Sequence, residues 1–417
     1  MITKKILIHS IVFSPDGVST AYLYNDIVLG FKDAGYEVVV LTTTPHYNLI
    51  ITALQMQPLN RKLFGLFYES DFDGIRVIHV PLKKYKSTII RILSFIYWHF
   101  LSLIIGLTIK KIDFILSPSP PLSIGLISIL IAKKNRAKFI YNVQEIYPDL
   151  LIKNGALKSN ILIKSLKWLE KYVYNQASAV ITIDQKFYDQ IVDRFNEKHK
   201  LKIVPNFVDT ELYKPISKEI ELPNPFEKDP HKVRLLYAGN IGIYQDWEPV
   251  LFAAKKLRGT NIEFWIIGEG VKKDYLIKEV EKYNLTNIIV LPYQNRELMP
   301  LINSFADIHF ISINKDLEQE GFPSKVYTIM ACAKPMIVIS GKKSPLYHFL
   351  KPLNCSILVT DKNRNVAFLT SILELSKNKD KMKVLGSNGY EIIKHHYNKK
   401  CIINKYINIF EVLFNQN

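Results

Sequence analysis

Cysteine is scarce in this chain of 417 residues: Cys332, Cys355 and Cys401 make up the whole set, with no C-x-x-C pair. That excludes a disulfide framework and a cysteine-built zinc site, and it suits a reducing compartment. The ten histidines include no H-E-x-x-H, and adjacent His395 and His396 would point to different faces of a helix, so no metal is expected. Acidic residues are outnumbered, 38 against 55 lysines and arginines, for a formal charge of +17. Such an excess favours a polyanionic partner: nucleic acid, an anionic membrane surface or a phosphate-rich substrate. No helix-turn-helix, RNA-recognition signature or zinc module accompanies it, which counts against nucleic acid. Short-period repeats and low-complexity tracts are missing too.

What is present is apolar and long. Hydrophobic residues make up 48%, enough for sizeable cores, and the length points to two domains. The opening MITKKILIHSIVF has a basic start and a short apolar run, yet SPDGVST follows in place of a small-residue cleavage pattern, so it reads as a first β-strand. One uncharged run, Ile92–Ile109, approaches the length of a membrane span, with Lys83, Lys84, Lys86 and Arg91 before it and Lys110 and Lys111 after. Three placements are open: a buried core helix, which is favoured; a helix lying in a membrane interface; and a span, disfavoured because strands of one sheet flank the run.

Short β-branched runs alternate with helical stretches. In the first half the predicted strands are 6–11, 37–42, 76–81, 113–118, 138–143, 179–184 and 202–206. Several are continuous apolar runs, as expected when helices cover both faces of a parallel sheet. The rhythm breaks over 204–232, where five prolines and scattered charges mark a linker. It restarts with strands at 233–240, 262–270, 287–293, 307–312, 335–340 and 355–360, and ends in a helical tail. The reading is α/β, with a Rossmann-like domain over 1–206, a linker over 207–232, a second Rossmann-like domain over 233–395, and a terminal helical segment, 396–417, that packs back on the first domain. Ligands of such sheets sit at the carboxyl ends of the strands, so a cleft between two such domains is the expected site.

The sharpest local signal is EQEGFPSKVYTIMACAKP, 318–335. A strand, a loop and then a helix over 324–333 put Lys325 in a first helical turn, where a cation is disfavoured by roughly 0.3–1 kcal/mol. An anionic ligand would rationalise it. Glu320 would repel such an anion unless it faced hydrogen-bond donors such as sugar hydroxyls. The plainer alternative is a carboxylate complementing the helix dipole beside a solvated lysine.

This segment resembles the motif of retaining glycosyltransferases of family 4, which have the GT-B architecture. Glu320 occupies the first acidic position of the family's Glu-x7-Glu pattern, and Thr328 stands where the second, ribose-holding carboxylate is usual. Pro323-Ser324-Lys325-Val326-Tyr327 matches a variant seen in transferases of bacterial surface polysaccharides, including fucosamine-type enzymes, and Gly321, Phe322, Pro323, Ser324 and Lys325 are thereby implied at the donor. FSPDGVSTAYLYNDIVLGFKDAGYEVVVLTTTPHYN, 13–48, resembles the first unit of the family, whose loop approaches donor phosphate and acceptor. Gly17 is thereby implied at the donor, and Asp16, Ser19, Thr20 and His46 at the acceptor. Ser19 or Thr20 as a plain helix cap is the equal alternative. YNVQEIYPDLL, 141–151, places Gln144 where many relatives have a histidine facing the transferred sugar, with Glu145 beside it. LYAGNIGIYQDWEPVLFAA, 236–254, resembles the opening of the nucleotide domain. Asn240 and Gln245, following Gly239, stand for the customary Arg and Lys that grip the diphosphate. Gly268 and the Pro292-Tyr293 turn follow in the next two units.

The resemblance implies transfer of a sugar from a nucleotide-sugar donor to a polyprenyl-diphosphate-linked acceptor in surface-polysaccharide synthesis. It implies retention at the anomeric carbon, no metal and no cofactor. The expected donor is UDP-linked, with N-acetylated sugars among the candidates. The expected location is cytoplasmic, on the inner face of the membrane. A nucleotide-sugar 2-epimerase of the same fold is the rival enzyme, and a basic nucleic-acid-binding protein is a rival of another class.

Overall fold

A computed structural model describes residues 3–415 except 50, 84, 86, 154, 217–222, 224, 227–228, 319–321 and 361. Its contacts divide into two units: residues 1–206 with 402–417, and residues 207–401.

The first unit is built on a nine-stranded sheet. Its strands are β1 (Lys5–His9), β2 (Glu37–Thr43), β3 (Asn60–Lys62), β4 (Phe67–Phe72), β5 (Ile75–Val80), β6 (Phe114–Ser119), β7 (Lys138–Val143), β8 (Ala179–Thr182) and β9 (Leu201–Ile203). They lie in the order β3-β4-β5-β2-β1-β6-β7-β8-β9, all parallel except the β3–β4–β5 edge. Strands such as FILSPS (β6) are buried along their whole length because helices cover both faces. Strands β3 and β4 were not among the predicted strands. The signal for β4 is the Asp73-Gly74 turn that joins it to β5, with φ of +51° and +76°, the left-handed pair that a tight hairpin requires.

The second unit carries β10 (Val233–Ala238), β11 (Ile262–Ile267), β12 (Ile288–Leu291), β13 (Ile308–Ser312), β14 (Met336–Ile339) and β15 (Ser356–Val359). All run parallel in the order β12-β11-β10-β13-β14-β15. Each sheet reverses its strand order once, at β1/β6 and at β10/β13, and these reversals open a crevice beyond the strand ends.

The apolar run forms the helix Thr88–Thr108. It is not the buried core helix favoured from sequence. Trp98, Leu101 and Ile105 are buried in the core of the first unit, and Gly106 lets the helix sit against Ile131. The opposite face, including Ile92, Ile96 and Phe100, is exposed. Length and composition alone would let it cross a membrane, but a helix bonded by packing to a sheet on one side is not free to do so.

From Ile402 on, the helix Lys399–Phe414 belongs to the first unit. Phe410 stacks on Phe114 with ring centroids 4.8 Å apart, and Glu411 pairs with Lys4 at 2.8 Å. Gly30 permits this approach, since a Cβ there would lie 2.3 Å from Ile403 Cδ1. Buried Asn142 donates through Nδ2 to the Tyr406 hydroxyl at 2.6 Å. Tyr406→Phe removes that acceptor and is expected to lower stability by about 1–3 kcal/mol, read as a lower urea midpoint with an unchanged slope. An unaltered midpoint would show that water satisfies Asn142 instead.

Candidate active site

In the first unit the residues singled out from sequence gather beyond the carboxyl ends of β1, β2 and β7. Asp16 is buried, and its carboxylate accepts backbone N–H groups from His46 (3.0 Å), Tyr47 (2.9 Å) and Asn48 (2.7 Å). It therefore holds the loop after β2 in place. Gly17 completes the clamp: its N–H donates to Asn48 O and its carbonyl accepts from Asn48 Nδ2, both at 2.9 Å. His46 Nδ1 lies 3.0 Å from Thr43 Oγ1 and from Thr44 O, so that ring edge faces protein. Ser19 opens the helix Ser19–Asp33, whose N-cap is Val18 with no side-chain cap. Neither Ser19 nor Thr20 is a cap, and both are exposed at its first turn.

Gln144 is engaged at both ends of its amide. Nε2 donates to Asn142 Oδ1 at 3.1 Å, and Oε1 accepts from Asn206 Nδ2 at 3.0 Å. A chain of amides thus runs from Tyr406 through Asn142 and Gln144 to Asn206. Gln144 is a positioning group here, with no titratable proton to offer. Glu145 is fixed through its carbonyl, which accepts from Ser119 Oγ at 2.9 Å, and its carboxyl is pushed upward, chiefly by burial. The Tyr47 hydroxyl is raised by burial and then by the charges of Asp16 and Glu145, so it too lies among these groups. Sequence reasoning missed Tyr47, although it stands within the quoted PHYN.

In the second unit the site lies beyond β10, β11 and β13. Two glycines let the loops meet. A Cβ on Gly268, at φ +158°, would fall 1.8 Å from Gly239 O; one on Gly239, at φ +142°, would fall 2.9 Å from Lys325 Nζ. The space that Gly239 leaves is filled by the lysine ammonium. Asn240 packs its amide between Gly242 and Gly270, and Gln245 Oε1 accepts from Gly242 N at 2.8 Å. These two shape the loop after β10. Pro292 and Tyr293 follow β12 and are exposed.

Glu320 and Gly321 lie outside the described residues. The flanks of that loop are well held. Glu318 accepts from Gly341 N at 2.6 Å and pairs with Arg364 at 3.0 Å; Arg364 Nη1 donates to Ile313 O at 2.9 Å. Phe322 packs on Tyr327 and Phe349, with centroids 5.4 and 5.1 Å away. Pro323 O accepts from Val326 N, and Ser324 O from Tyr327 N, both at 3.1 Å. The helix runs over Lys325–Ala331, shorter than predicted at both ends. Two of its first amides are already bonded within the turn, so less of the helix terminus is open to a ligand than the sequence suggested. Thr328 sits one turn on, half-buried.

That leaves the lysine. Lys325 Nζ is buried, has no hydrogen-bond partner among the described residues and lies 3.5 Å from the centroid of the Tyr237 ring. Burial draws its pKa down to about 7, while the ring face attracts the charged form. A buried ammonium without an acceptor costs free energy that an anion would recover. Tyr237 is the second residue that sequence reasoning missed; it reads as a core position of β10. Among the described residues no three His, Cys, Asp or Glu side chains gather as a metal site would require.

Comparison with known proteins bears on both units. Residues 20–206 match the family model "Glycosyl transferase 4-like domain", and residues 218–392 match "Glycosyl transferases group 1". The chain is 25% identical over 337 residues to WcaI of Escherichia coli (strain K12), a glycosyl transferase assigned to colanic acid biosynthesis; the match covers 78% of this chain and 81% of that one. Sucrose-phosphate synthase of Thermosynechococcus elongatus shares the fold with a TM-score of 0.75 at 14% identity, over 99% of this chain and 100% of that one. Anabaena Alr3699/HepE, solved in complex with UDP and glucose, does so with a TM-score of 0.69 at 12% identity, over 98% and 100%.

Proposed function

The chain belongs to glycosyltransferase family 4, with the GT-B fold, and from that premise we propose how it works. It is a transferase of bacterial polysaccharide biosynthesis. In our reading it moves a sugar from a UDP-linked donor to a polyprenyl-diphosphate-linked acceptor, with retention at the anomeric carbon. The observation that carries this is the Lys325 ammonium above Tyr237, buried with no hydrogen-bond partner among the described residues. The second unit binds the donor, with the diphosphate against Lys325 and the base toward Pro292 and Tyr293. UDP in the Anabaena Alr3699/HepE structure supports that class of ligand. Thr328 takes the place of the family's ribose-holding carboxylate, and Glu320 orients the sugar through its hydroxyls. The first unit presents the acceptor, with Tyr47 and Glu145 as its polar contacts.

Chemically, the bond from the anomeric carbon to the diphosphate oxygen breaks and its electron pair leaves with UDP. The acceptor hydroxyl oxygen bonds to that carbon, and its proton passes to the departing diphosphate. Lys325 stabilises the charge that builds on the leaving group in a site already desolvated. The enzyme works at the cytoplasmic face of the membrane, where lipid-linked acceptors present their sugars.

Proton linkage gives a direct test. A bound diphosphate favours the protonated lysine, whereas the free enzyme loses that proton near pH 7. UDP affinity is therefore expected to fall as pH rises through roughly 7 to 9, by up to about tenfold per unit. Calorimetric titration at several pH values measures it. A flat profile removes Lys325 from the diphosphate site. Product analysis with lipid-linked acceptors then fixes the anomeric outcome. Interconversion of a UDP-sugar without acceptor would establish the epimerase in its place.

A further inference from the structure

The helix Thr88–Thr108 does not stand alone. It packs on the helix Ser123–Asn135, which in turn packs on the helix Asn160–Gln176. All three bury one side in the first unit and leave the other bare. Ile92, Ile96 and Phe100 of the first helix, Leu130 of the second, and Ile161 and Trp168 of the third are exposed, Trp168 at 67%. Contiguous apolar exposure on this scale is unusual for a surface that meets only water.

The sequence that carries the first two helices is basic. Between residues 75 and 144 the sequence holds eleven lysines and arginines against a single acid, Asp113. That carboxylate is already tied to the backbone N–H of Lys5 at 2.7 Å. On the third helix Lys164, Lys167 and Lys171 are exposed alongside Trp168. Glu170, its one acid, is buried against Arg194 at 2.8 Å. Apolar side chains interleaved with cations, and without exposed acids, match the boundary between acyl chains and anionic headgroups.

We propose that the outer face of these three helices is a docking surface for an anionic phospholipid bilayer. The first helix lies along the interface, its core side held by Trp98 and Leu101 and its free side among the acyl chains. This deepens the proposed function and rests on the lipid-linked-acceptor reading for its purpose, while its evidence is independent of the transfer chemistry.

The test is sedimentation of the full chain with vesicles of phosphatidylethanolamine and phosphatidylglycerol, against vesicles of phosphatidylcholine alone. Wild type is expected on the anionic vesicles and not on the neutral ones, with binding weakened by salt. The variant I92D/I96D/F100D changes only exposed side chains and is expected to lose at least about tenfold in vesicle affinity. K164E/K167E/K171E is expected to lose the salt-sensitive part. Both should keep the wild-type urea midpoint and full transfer to a water-soluble, short-prenyl acceptor. Equal sedimentation of I92D/I96D/F100D overturns the proposal, as does failure of wild type to bind. Self-association abolished by the same substitutions, without vesicle binding, assigns the face to a second copy and overturns it too. Vesicle binding with no transfer to any lipid-linked acceptor would sink the transfer reading and leave the docking surface standing.

Discussion

Lys325→Met is expected to weaken UDP binding about a hundredfold and kcat/KM about a thousandfold, in a protein that is no less stable. The two halves of that expectation come from one observation. The Lys325 ammonium is buried without an acceptor among the described residues, so the unliganded fold gains only its contact with the Tyr237 ring, which does not offset the burial of the charge. An apolar side chain of similar length removes the penalty of an unpaired buried charge. In the proposed complex the diphosphate, by contrast, loses its cation in a desolvated site, where a charge-assisted contact is strong. Urea unfolding and calorimetric titration on one preparation measure both. If the variant is markedly destabilised while its UDP affinity is intact, the lysine is a structural cation resting on Tyr237. Glu320→Gln serves as the counterpart. It is expected to bind UDP as wild type does and to lose turnover, because its proposed contacts are to the sugar. Weakened UDP affinity in that variant would place Glu320 at the nucleotide and not at the sugar.

Gly268→Ala is expected to cost about 3 kcal/mol or more, enough to threaten the second unit. Its methyl would enter 1.8 Å from Gly239 O, and the obstacle is backbone that cannot swing away as a side chain could. The two loops would have to part, and Gly239 carries the wall against which Lys325 lies. Gly259 is the control. Its φ of +80° disfavours alanine equally in principle, but nothing lies within 4 Å, so Gly259→Ala should cost only about 1 kcal/mol. The measured difference between the two urea midpoints isolates the loop contact from backbone strain. Equal losses would show that conformation alone, and not the approach of the loops, requires glycine at 268.

These two residues also mark what could be read from sequence. The parallel strands were legible because burial on both faces writes an unbroken apolar run such as IEFWII of β11. The placement of Lys325 at a helix start was legible from the strand–loop–helix pattern around it. Tyr237, beneath it, was not. Nothing local separates a tyrosine that carries a lysine on its ring from one that only fills a core, and only the register of β10 beside β11 and β13 decides it. The Glu318–Arg364 pair was hidden for the same reason, since 46 residues separate its partners. The Thr88–Thr108 helix misled in the other direction. Composition reports how apolar a segment is, whereas which of its faces is covered is set by neighbours far along the chain.

The membership of residues 402–417 in the first unit has a consequence for biosynthesis. Phe31 and Phe114 are synthesised early, but the aromatic side chains that pack on them, Tyr406 and Phe410, emerge from the ribosome only after the second unit has been made. The usual order, in which an amino-terminal domain folds while the rest is still being translated, cannot be completed here. The nascent first unit keeps an open apolar seam during that interval, and this makes it a natural client for a holdase chaperone.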